Sequence, residues 1–289
     1  MVEAAGITIK RSMKQFLGGL LGGRLSFEFL RALNRQKLLI ICYHRVLKRE
    51  DTGIPAAIDM FSHVDTFKEH MEFLSSHYTP VSEQDVIDAF YAGKKFPDFP
   101  VWVTFDDGYR DNYTLAYPVL KEFGIPATFF ISTGLIDQEK EAVAGLRKTV
   151  GLDSNAAKAA FMSWEQIREL SGEGFHIGCH TRSHRILSTL DAAEVEAEIS
   201  HSKNEIERRI GRPVLAFAYP HGKHADYNAG LCIPLLEKYG FKIAVSTMGG
   251  NNDLVKQPDP FELRRVGMSY KEPFGFYKLK VGSGSAWQK

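Results

Sequence analysis

Two short motifs in this sequence combine carboxylates and imidazoles at a spacing suited to metal-assisted hydrolysis. Residues 104–109 read Thr-Phe-Asp-Asp-Gly-Tyr and place two adjacent carboxylates directly after an apolar run. Residues 180–184 read His-Thr-Arg-Ser-His and set two imidazoles four residues apart. One carboxylate and two histidines can bind one divalent metal, which leaves the second carboxylate free to act as a general base.

Each motif taken alone also has a purely structural interpretation. Asp-Asp-Gly is a common turn sequence, because Asp and Gly both favour turn conformations. His180 and His184 could be unrelated, one ending a strand and the other lying in a loop. The two motifs together favour a metal site, because four-residue spacing can bring two rings to one side of a helical turn or tight loop.

The elements that must position these residues are strands alternating with helices. Seven apolar runs are predicted as strands, at 38–44, 101–105, 127–131, 175–179, 214–219, 242–246 and 263–267. Helix starts are indicated by the capping pairs Ser82 with Asp85, Ser163 with Gln166 and Asp191 with Glu194. The helix after Asp191 is predicted to run to about Ile210 and to stop at Gly211, ahead of Pro213. This alternation predicts an α/β fold built from parallel β/α units.

The candidate residues coincide with the ends of these strands. Six of them lie at or near the carboxyl end of a predicted strand, namely His44, Asp106, Asp107, His180, Tyr219 and Arg265. In a parallel barrel those strand ends gather at one mouth, where active sites are built. Residues distant in sequence are therefore expected to converge there.

The two motifs resemble those of the polysaccharide deacetylases, metal-dependent carbohydrate esterases that remove N-acetyl groups from glycans. Thr104 to Gly108 match the first family motif, and His180 to His184 match the second. The resemblance implies that Asp106 is the general base and that Asp107, His180 and His184 hold the metal. It further implies zinc as the usual metal, with cobalt, nickel or manganese as alternatives, and a distorted (β/α)7 barrel.

The third family motif is altered in this chain. It usually has an arginine ahead of Pro-Tyr/Phe-Gly, whereas residues 217–222 read Phe-Ala-Tyr-Pro-His-Gly. Arg265 is the candidate substitute that would tether Asp106, and its alternative is a surface or capping arginine. With Arg265, the candidates for contact with substrate or transition state are Tyr219, whose backbone N–H would face the oxyanion, Pro220 and His221. His221 could instead replace a metal ligand.

The usual late histidine that supplies the catalytic acid is also missing, since no histidine follows His224. However, Tyr43-His44 resembles the amino-terminal motif of a rearranged branch that deacetylates exopolysaccharides. His44 is therefore the candidate general acid. The alternative is a core histidine satisfied by a hydrogen bond.

Composition limits the remaining possibilities. A net charge of +1 gives no electrostatic basis for binding nucleic acid. Residues 1–36 are expected to form an extension, either frayed or in weak contact with a membrane surface, and 37–289 a single catalytic domain with an insertion at about 134–160. We predict neither a signal peptide nor a transmembrane helix, and hence a protein that is cytoplasmic or peripheral to the inner membrane.

The leading hypothesis is a metal-dependent deacetylase of an N-acetylated oligosaccharide, polysaccharide or glycolipid. One alternative keeps the barrel and the metal but acts on a small non-sugar amide. Another is a non-catalytic glycan-binding or assembly protein of the same fold.

Overall fold

A computed structural model of the protein describes residues 24–51, 60–150 and 160–284. Within these ranges the chain forms eleven β-strands and ten α-helices. The strands are β1 Lys37–Tyr43, β2 Arg45–Leu47, β3 Phe61–His63, β4 Thr79–Pro80, β5 Pro100–Phe105, β6 Ala127–Ile131, β7 His176–Cys179, β8 Ala216–Ala218, β9 Ile243–Val245, β10 Asn252–Asp253 and β11 Val266–Gly267. The helices are α1 Arg24–Ala32, α2 Val64–His77, α3 Glu83–Tyr91, α4 Tyr117–Phe123, α5 Thr133–Ile136, α6 Lys140–Val150, α7 Trp164–Gly172, α8 Ala192–Ile210, α9 Ala229–Lys238 and α10 Phe274–Ser283.

The main sheet has nine strands and is strongly curled; β4 pairs in parallel with the start of β5, β10 pairs antiparallel with β1, and seven parallel strands form its continuous path. They are hydrogen-bonded in the order β1, β5, β6, β7, β8 and β9, and β11 pairs with the edge of β1 opposite β5. A bridge between Val245 and Leu263 joins β9 to the segment leading into β11, so the sheet curls back toward its first strand. The predicted fold class, an α/β barrel of the (β/α)7 type, is confirmed, and each of the seven predicted runs overlaps one of these strands.

Side chains along these strands alternate between two apolar clusters. Leu38, Ile40, Trp102 and Phe130 belong to a cluster inside the curl, which α3 covers at the amino ends of the strands. The intervening positions belong to a larger cluster shared with the surrounding helices. Because side chains alternate along a strand, the inward series continues through β5 and past its end to Asp106.

The interior of the barrel is packed so tightly at Gly178 that it has no room for a side chain. A Cβ added at Gly178 in β7 would lie 2.3 Å from the ring of Phe130. A larger residue there would have to displace a fully buried aromatic side chain.

The helix boundaries follow the capping signals in the sequence. Complete capping boxes begin α3, α7 and α8, at Ser82, Ser163 and Asp191. Helix α8 ends at Gly211, which adopts the left-handed conformation with φ +69°. The expected starts, and the expected stop at Gly211, are confirmed.

The amino-terminal extension packs against the far end of the chain. In α1, Phe27 is 2% exposed and belongs to the main core. Asn34 then donates from Nδ2 to the carbonyl of Gly282 at 2.9 Å. Residues 1–23 of the expected extension lie outside the described residues.

The expected insertion begins as α5 and α6, and residues 151–159 lie outside the described part. Leu135 and Ile136 of α5 are buried in the core, so this segment is anchored to the barrel. Among the described residues, no helix has both the length and the apolar character needed to cross a bilayer.

Candidate active site

The Asp106-Asp107-Gly108 turn follows β5 directly and points its two carboxylates in different directions. The N–H of Asp106 donates to the carbonyl of Tyr43 at 3.0 Å, which extends the β1–β5 ladder by one bond. Asp107 and Gly108 then have φ values of +74° and +79°. A Cβ on Gly108 would lie 3.0 Å from Ile131 Cγ2, so the turn requires glycine both for its conformation and for space.

Asp107 meets the two histidines of the second motif. Its Oδ1 lies 3.5 Å from His180 Nε2 and 3.2 Å from His184 Nε2. Burial alone would raise the pKa of Asp107, but His184 and His180 together hold it well below its usual range. Asp107 is therefore ionised and acceptor-only.

This trio fits a divalent metal. Asp107 Oδ1 is buried and has no hydrogen-bond partner among the described residues. The ring of His180 donates from Nδ1 to the carbonyl of Ala218 at 2.7 Å, which leaves Nε2, on the side of Asp107, as the nitrogen that could bind a metal. Two ligand atoms on a tetrahedral zinc lie about 3.4 Å apart, close to the observed separations. Two nitrogens and one oxygen suit zinc, cobalt, nickel or manganese.

Helix α8 holds the loop that carries the two histidines. Glu198 is 7% exposed and accepts the backbone N–H groups of Arg182, at 2.9 Å, and Ser183, at 2.8 Å. The Ser183 hydroxyl also donates to Glu198. Ser202, one helical turn further, donates to the carbonyl of Thr181 at 2.9 Å. Sequence reasoning missed Glu198, since nothing marks this glutamate among the many acidic residues of α8.

Backbone strain is concentrated around the same trio. Four non-glycine residues there have left-handed φ values, namely Asp107 at +74°, Thr181 at +65°, His184 at +57° and His221 at +60°. Each such conformation costs about 1 kcal/mol or more and persists only where the surrounding contacts impose it. The packing therefore maintains a local geometry that these residues would not adopt on their own.

Asp106 forms a fully buried, bidentate ion pair with Arg265. Nη1 and Nη2 of Arg265 donate to Oδ1 and Oδ2 of Asp106, both at 2.7 Å. The guanidinium also donates from Nε to the carbonyl of Ser246 at 2.9 Å. Burial alone would raise the pKa of Asp106, but Arg265 outweighs it and lowers this pKa to about 2. Of the two interpretations of Arg265, contact with Asp106 agrees with the structure, and a surface arginine does not.

His44 lies beside this pair, at the end of β1. Cys42, His44 and Asp106 each offer a ligand-type atom within 4.8 Å of the others. The Cys42 thiol is 3.5 Å from Asp106 Oδ2, and burial raises the pKa of Cys42 so that the thiol keeps its proton. Burial also lowers the pKa of His44, opposed by Asp107 and Asp106. Cys42 is thus a buried free thiol in contact with the carboxylate of Asp106.

The third motif needs one correction. The N–H of Tyr219 already donates to the carbonyl of Val245 at 3.1 Å, and its ring is fully buried against Tyr227. Tyr219 therefore cannot offer its N–H to an oxyanion, because the strand ladder occupies it. Pro220 has no N–H, so the first free donor after β8 is the backbone N–H of His221, which makes no hydrogen bond within the described part of the chain.

His221 lies next to the metal-type cluster. Its ring centroid is 5.2 Å from that of His184, and its side chain is exposed. His221 does not belong to the group of three whose ligand atoms converge. It lines the mouth beside that group.

Comparison with known proteins gives these residues a family context. A family model described as polysaccharide deacetylase matches residues 93–244, which is more than half of the chain. The Bacillus subtilis protein YxkH, which is named for the same family, is 26% identical over 215 residues, covering 74% of this chain and 66% of its own length. The poly-beta-1,6-N-acetyl-D-glucosamine N-deacetylase of Staphylococcus aureus strain MRSA252 is 25% identical over 189 residues, which is 62% of this chain and 59% of the relative.

The chain thus spans roughly three fifths to two thirds of the length of these curated relatives. Among solved structures, IcaB from Ammonifex degensii aligns with a TM-score of 0.67 and 22% identity, over 86% of this chain and 98% of the other. Streptococcus pyogenes deacetylase PplD aligns with a TM-score of 0.65 and 23% identity, over 81% and 93%. At this level of identity the structural likeness concerns the fold alone.

Proposed function

The chain belongs to the polysaccharide deacetylase family, and on this premise we propose that it is a metal-dependent N-deacetylase of an N-acetylated glycan. The observation that carries the proposal is the buried Asp106–Arg265 pair next to the Asp107–His180–His184 trio. This arrangement puts an ionised carboxylate that is not a ligand beside a ligand set for one divalent metal. Hydrolysis assisted by a metal and a general base needs both.

Amide hydrolysis presents two chemical difficulties, a weakly electrophilic carbonyl and a poor leaving group. When bound, a divalent metal would polarise the acetyl oxygen and lower the pKa of a coordinated water toward about 7. Asp107, His180 and His184 would hold it. Glu198 would keep the histidine loop in place through its backbone contacts.

Asp106 would accept the proton of the attacking water. Arg265 takes one lone pair on each carboxylate oxygen and keeps the group ionised, and it also fixes its orientation. A carboxylate with a pKa of about 2 is a weak base, so the water it deprotonates must itself be made acidic. The ion pair thus contributes position and charge more than basicity.

His44 and His221 would complete the reaction. The free backbone N–H of His221 would stabilise the oxyanion as the carbonyl becomes tetrahedral. His44 would then protonate the departing nitrogen, giving a free amine and acetate. The substrate class follows the Staphylococcus aureus relative, whose name specifies poly-beta-1,6-N-acetyl-D-glucosamine.

The decisive test is Asp106→Asn, assayed by acetate release from β-1,6-linked N-acetylglucosamine oligomers in the metal-loaded protein. We expect turnover to fall by about 10²- to 10⁴-fold, since the base is lost, with the metal-to-protein ratio unchanged. Loss of metal together with activity would contradict the separate roles of Asp106 and Asp107.

The wild-type protein distinguishes the alternatives in the same assay. Acetate release from small non-sugar amides but not from the oligomers would favour a different substrate. A metal-loaded protein that is inert to every amide tested would favour a binding or assembly role.

A further inference from the structure

His44 lies where the chain leaves the main sheet. Strand β1 ends at Tyr43, and Arg45 begins β2, which pairs with β3 in a separate two-stranded sheet. His44 itself belongs to neither strand. The ladder of the main sheet therefore does not fix its orientation, and contacts from elsewhere must do so.

Two buried side chains supply those contacts, one at the carbonyl of His44 and the other at the two residues that follow it. Asn112 donates from Nδ2 to the carbonyl of His44 at 2.8 Å. Asp111 accepts the backbone N–H of Val46 on Oδ1 at 2.8 Å, and Nε of Arg45 on Oδ2 at 2.9 Å. Asn112 is fully buried and Asp111 is 8% exposed.

Asp111 and Asn112 together form a clamp on the backbone at His44, and further contacts stabilise this clamp. Asn112 Nδ2 lies 3.3 Å from Asp111 Oδ1, so the two side chains also contact each other. The guanidinium of Arg45 lies over the ring of Tyr109, 4.8 Å from its centroid. Asn112 also begins a five-residue π-helical turn, a local feature that often marks functional sites.

The same short segment carries the proposed base and a proposed metal ligand. Residues 106–112 include Asp106, whose N–H holds the carbonyl of Tyr43, and Asp107. Five residues further on, Asp111 and Asn112 hold the chain just beyond Tyr43. The segment thus contacts the backbone at Tyr43, at His44 and at Val46.

We propose that Asp111 and Asn112 are positioning residues that orient His44 toward the leaving group. This inference rests on the proposed function, in which His44 donates the proton. The segment 106–112 carries the proposed base Asp106 and also holds the backbone at the proposed acid His44. The distance between these two residues is therefore set by one segment and not by two segments that pack independently. Neither residue touches the reacting atoms, so both would act only through His44.

The test uses two substrates that differ in their need for an acid. A β-1,6-linked N-acetylglucosamine tetramer releases an amine, which must be protonated to leave. 4-Nitrophenyl acetate releases a stable phenolate, which needs no proton. A variant that misplaces only the acid therefore loses activity on the amide and keeps it on the ester, whereas general damage to the site lowers both.

For Asn112→Ala we expect kcat on the tetramer to fall by about 10- to 100-fold, part of the contribution of an acid, with KM nearly unchanged. The rate on 4-nitrophenyl acetate should change less than about threefold by the same argument. Asp111→Asn keeps the size of the side chain and should show the same selectivity to a smaller extent. It serves as the second variant if Asn112→Ala does not fold.

Two control variants make the result decisive. Asn34→Ala removes a similar amide-to-carbonyl contact far from the mouth and should leave both rates unchanged. His44→Ala should show the selective loss at its largest. Selective loss in His44→Ala but equal losses on both substrates in Asn112→Ala would overturn the positioning role alone. Equal losses on both substrates in His44→Ala would instead overturn the acid assignment, and the positioning role with it.

Discussion

Each end of the barrel contains a buried carboxylate, but only the one at the mouth has a charged partner. At the mouth, Asp106 is 1% exposed and paired with Arg265 through two short hydrogen bonds. At the floor, Glu83 is 3% exposed, and its hydrogen-bond partner is the hydroxyl of Thr128 at 3.1 Å. Among the described residues, neither lysine nor arginine forms an ion pair with Glu83, and His176 Nδ1 is 3.8 Å away.

The pKa values of Glu83 and Asp106 differ because of their interaction partners and not because of their burial. Burial raises the pKa of Glu83 to about 8, because Thr128 and more distant charges offset little of it. The same burial acts on Asp106, yet Arg265, together with His180 and His44, brings its pKa to about 2. Equal loss of water therefore gives a protonated acid at the floor and an ionised carboxylate at the mouth. What distinguishes the mouth is an arginine that can form two parallel hydrogen bonds.

The most severe way to break this contrast is Arg265→Met, which would leave Asp106 buried without a counter-charge. We expect a loss of activity of about 10²- to 10⁴-fold and a loss of stability of about 3–5 kcal/mol. Acetate release and urea unfolding measure the two effects. Arg265→Lys keeps the charge but not the paired hydrogen bonds, and should be intermediate.

The double variant Asp106→Asn, Arg265→Met tests the cause of that instability. It removes the unpaired charge, so it should be more stable than Arg265→Met alone. If the double variant were less stable than Arg265→Met, an uncompensated carboxylate would not be the cause.

Glu83→Gln should change the pH dependence of the free energy of unfolding, because Glu83 is protonated in the folded protein. Between about pH 4.5 and 8 the folded protein keeps the proton of Glu83 while the unfolded chain releases it. Rising pH therefore favours unfolding through this group, by up to about 1.4 kcal/mol per pH unit. Glutamine removes this contribution, so the stability advantage of the variant over wild type should grow from pH 5 to pH 8.

Urea unfolding at several pH values measures this difference. The exposed Glu72 provides the matched control, since Glu72→Gln should follow the wild-type curve. Parallel curves for Glu83→Gln and wild type would show that Glu83 ionises normally in the folded protein.

The smallest expected effect concerns the support of the proposed metal site. Glu198→Gln weakens the acceptor for two backbone N–H groups of the histidine loop, and should lower zinc affinity by about tenfold. Competition with a chromophoric chelator measures it. Glu196 lies on the same helix but pairs with Lys238 at the surface, so Glu196→Gln should bind zinc like wild type. An unchanged affinity in Glu198→Gln would mean that the loop holds its shape without this carboxylate.

Local sequence signals predicted most of the fold. The strand runs, the three capping boxes and the stop at Gly211 depend on residues within a few positions of each other, so they can be read from a single sequence. The motif carboxylates and histidines were identifiable for the same reason. Their convergence followed from one general rule, that parallel strand ends share a mouth.

The partners of those residues were decided by the tertiary structure. Arg265 is 159 positions from Asp106, and only the curl of the sheet brings β11 beside β1 and the end of β5. The free N–H belongs to His221 rather than Tyr219, because the β8–β9 ladder uses the latter. Glu198, Asp111 and Asn112 carry no local signal that tells a buried clamp from a surface polar residue.

The sequence by itself thus determined which residue types are available for chemistry and on which strand ends they lie, because these are properties of short segments. The tertiary structure alone decided which buried carboxylate is ionised, because ionisation depends on the charge that packing places within a few ångströms. From the sequence alone, the carboxyl groups of Asp106 and Glu83 would be expected to ionise alike. They differ chiefly because the barrel brings Arg265 to one of them.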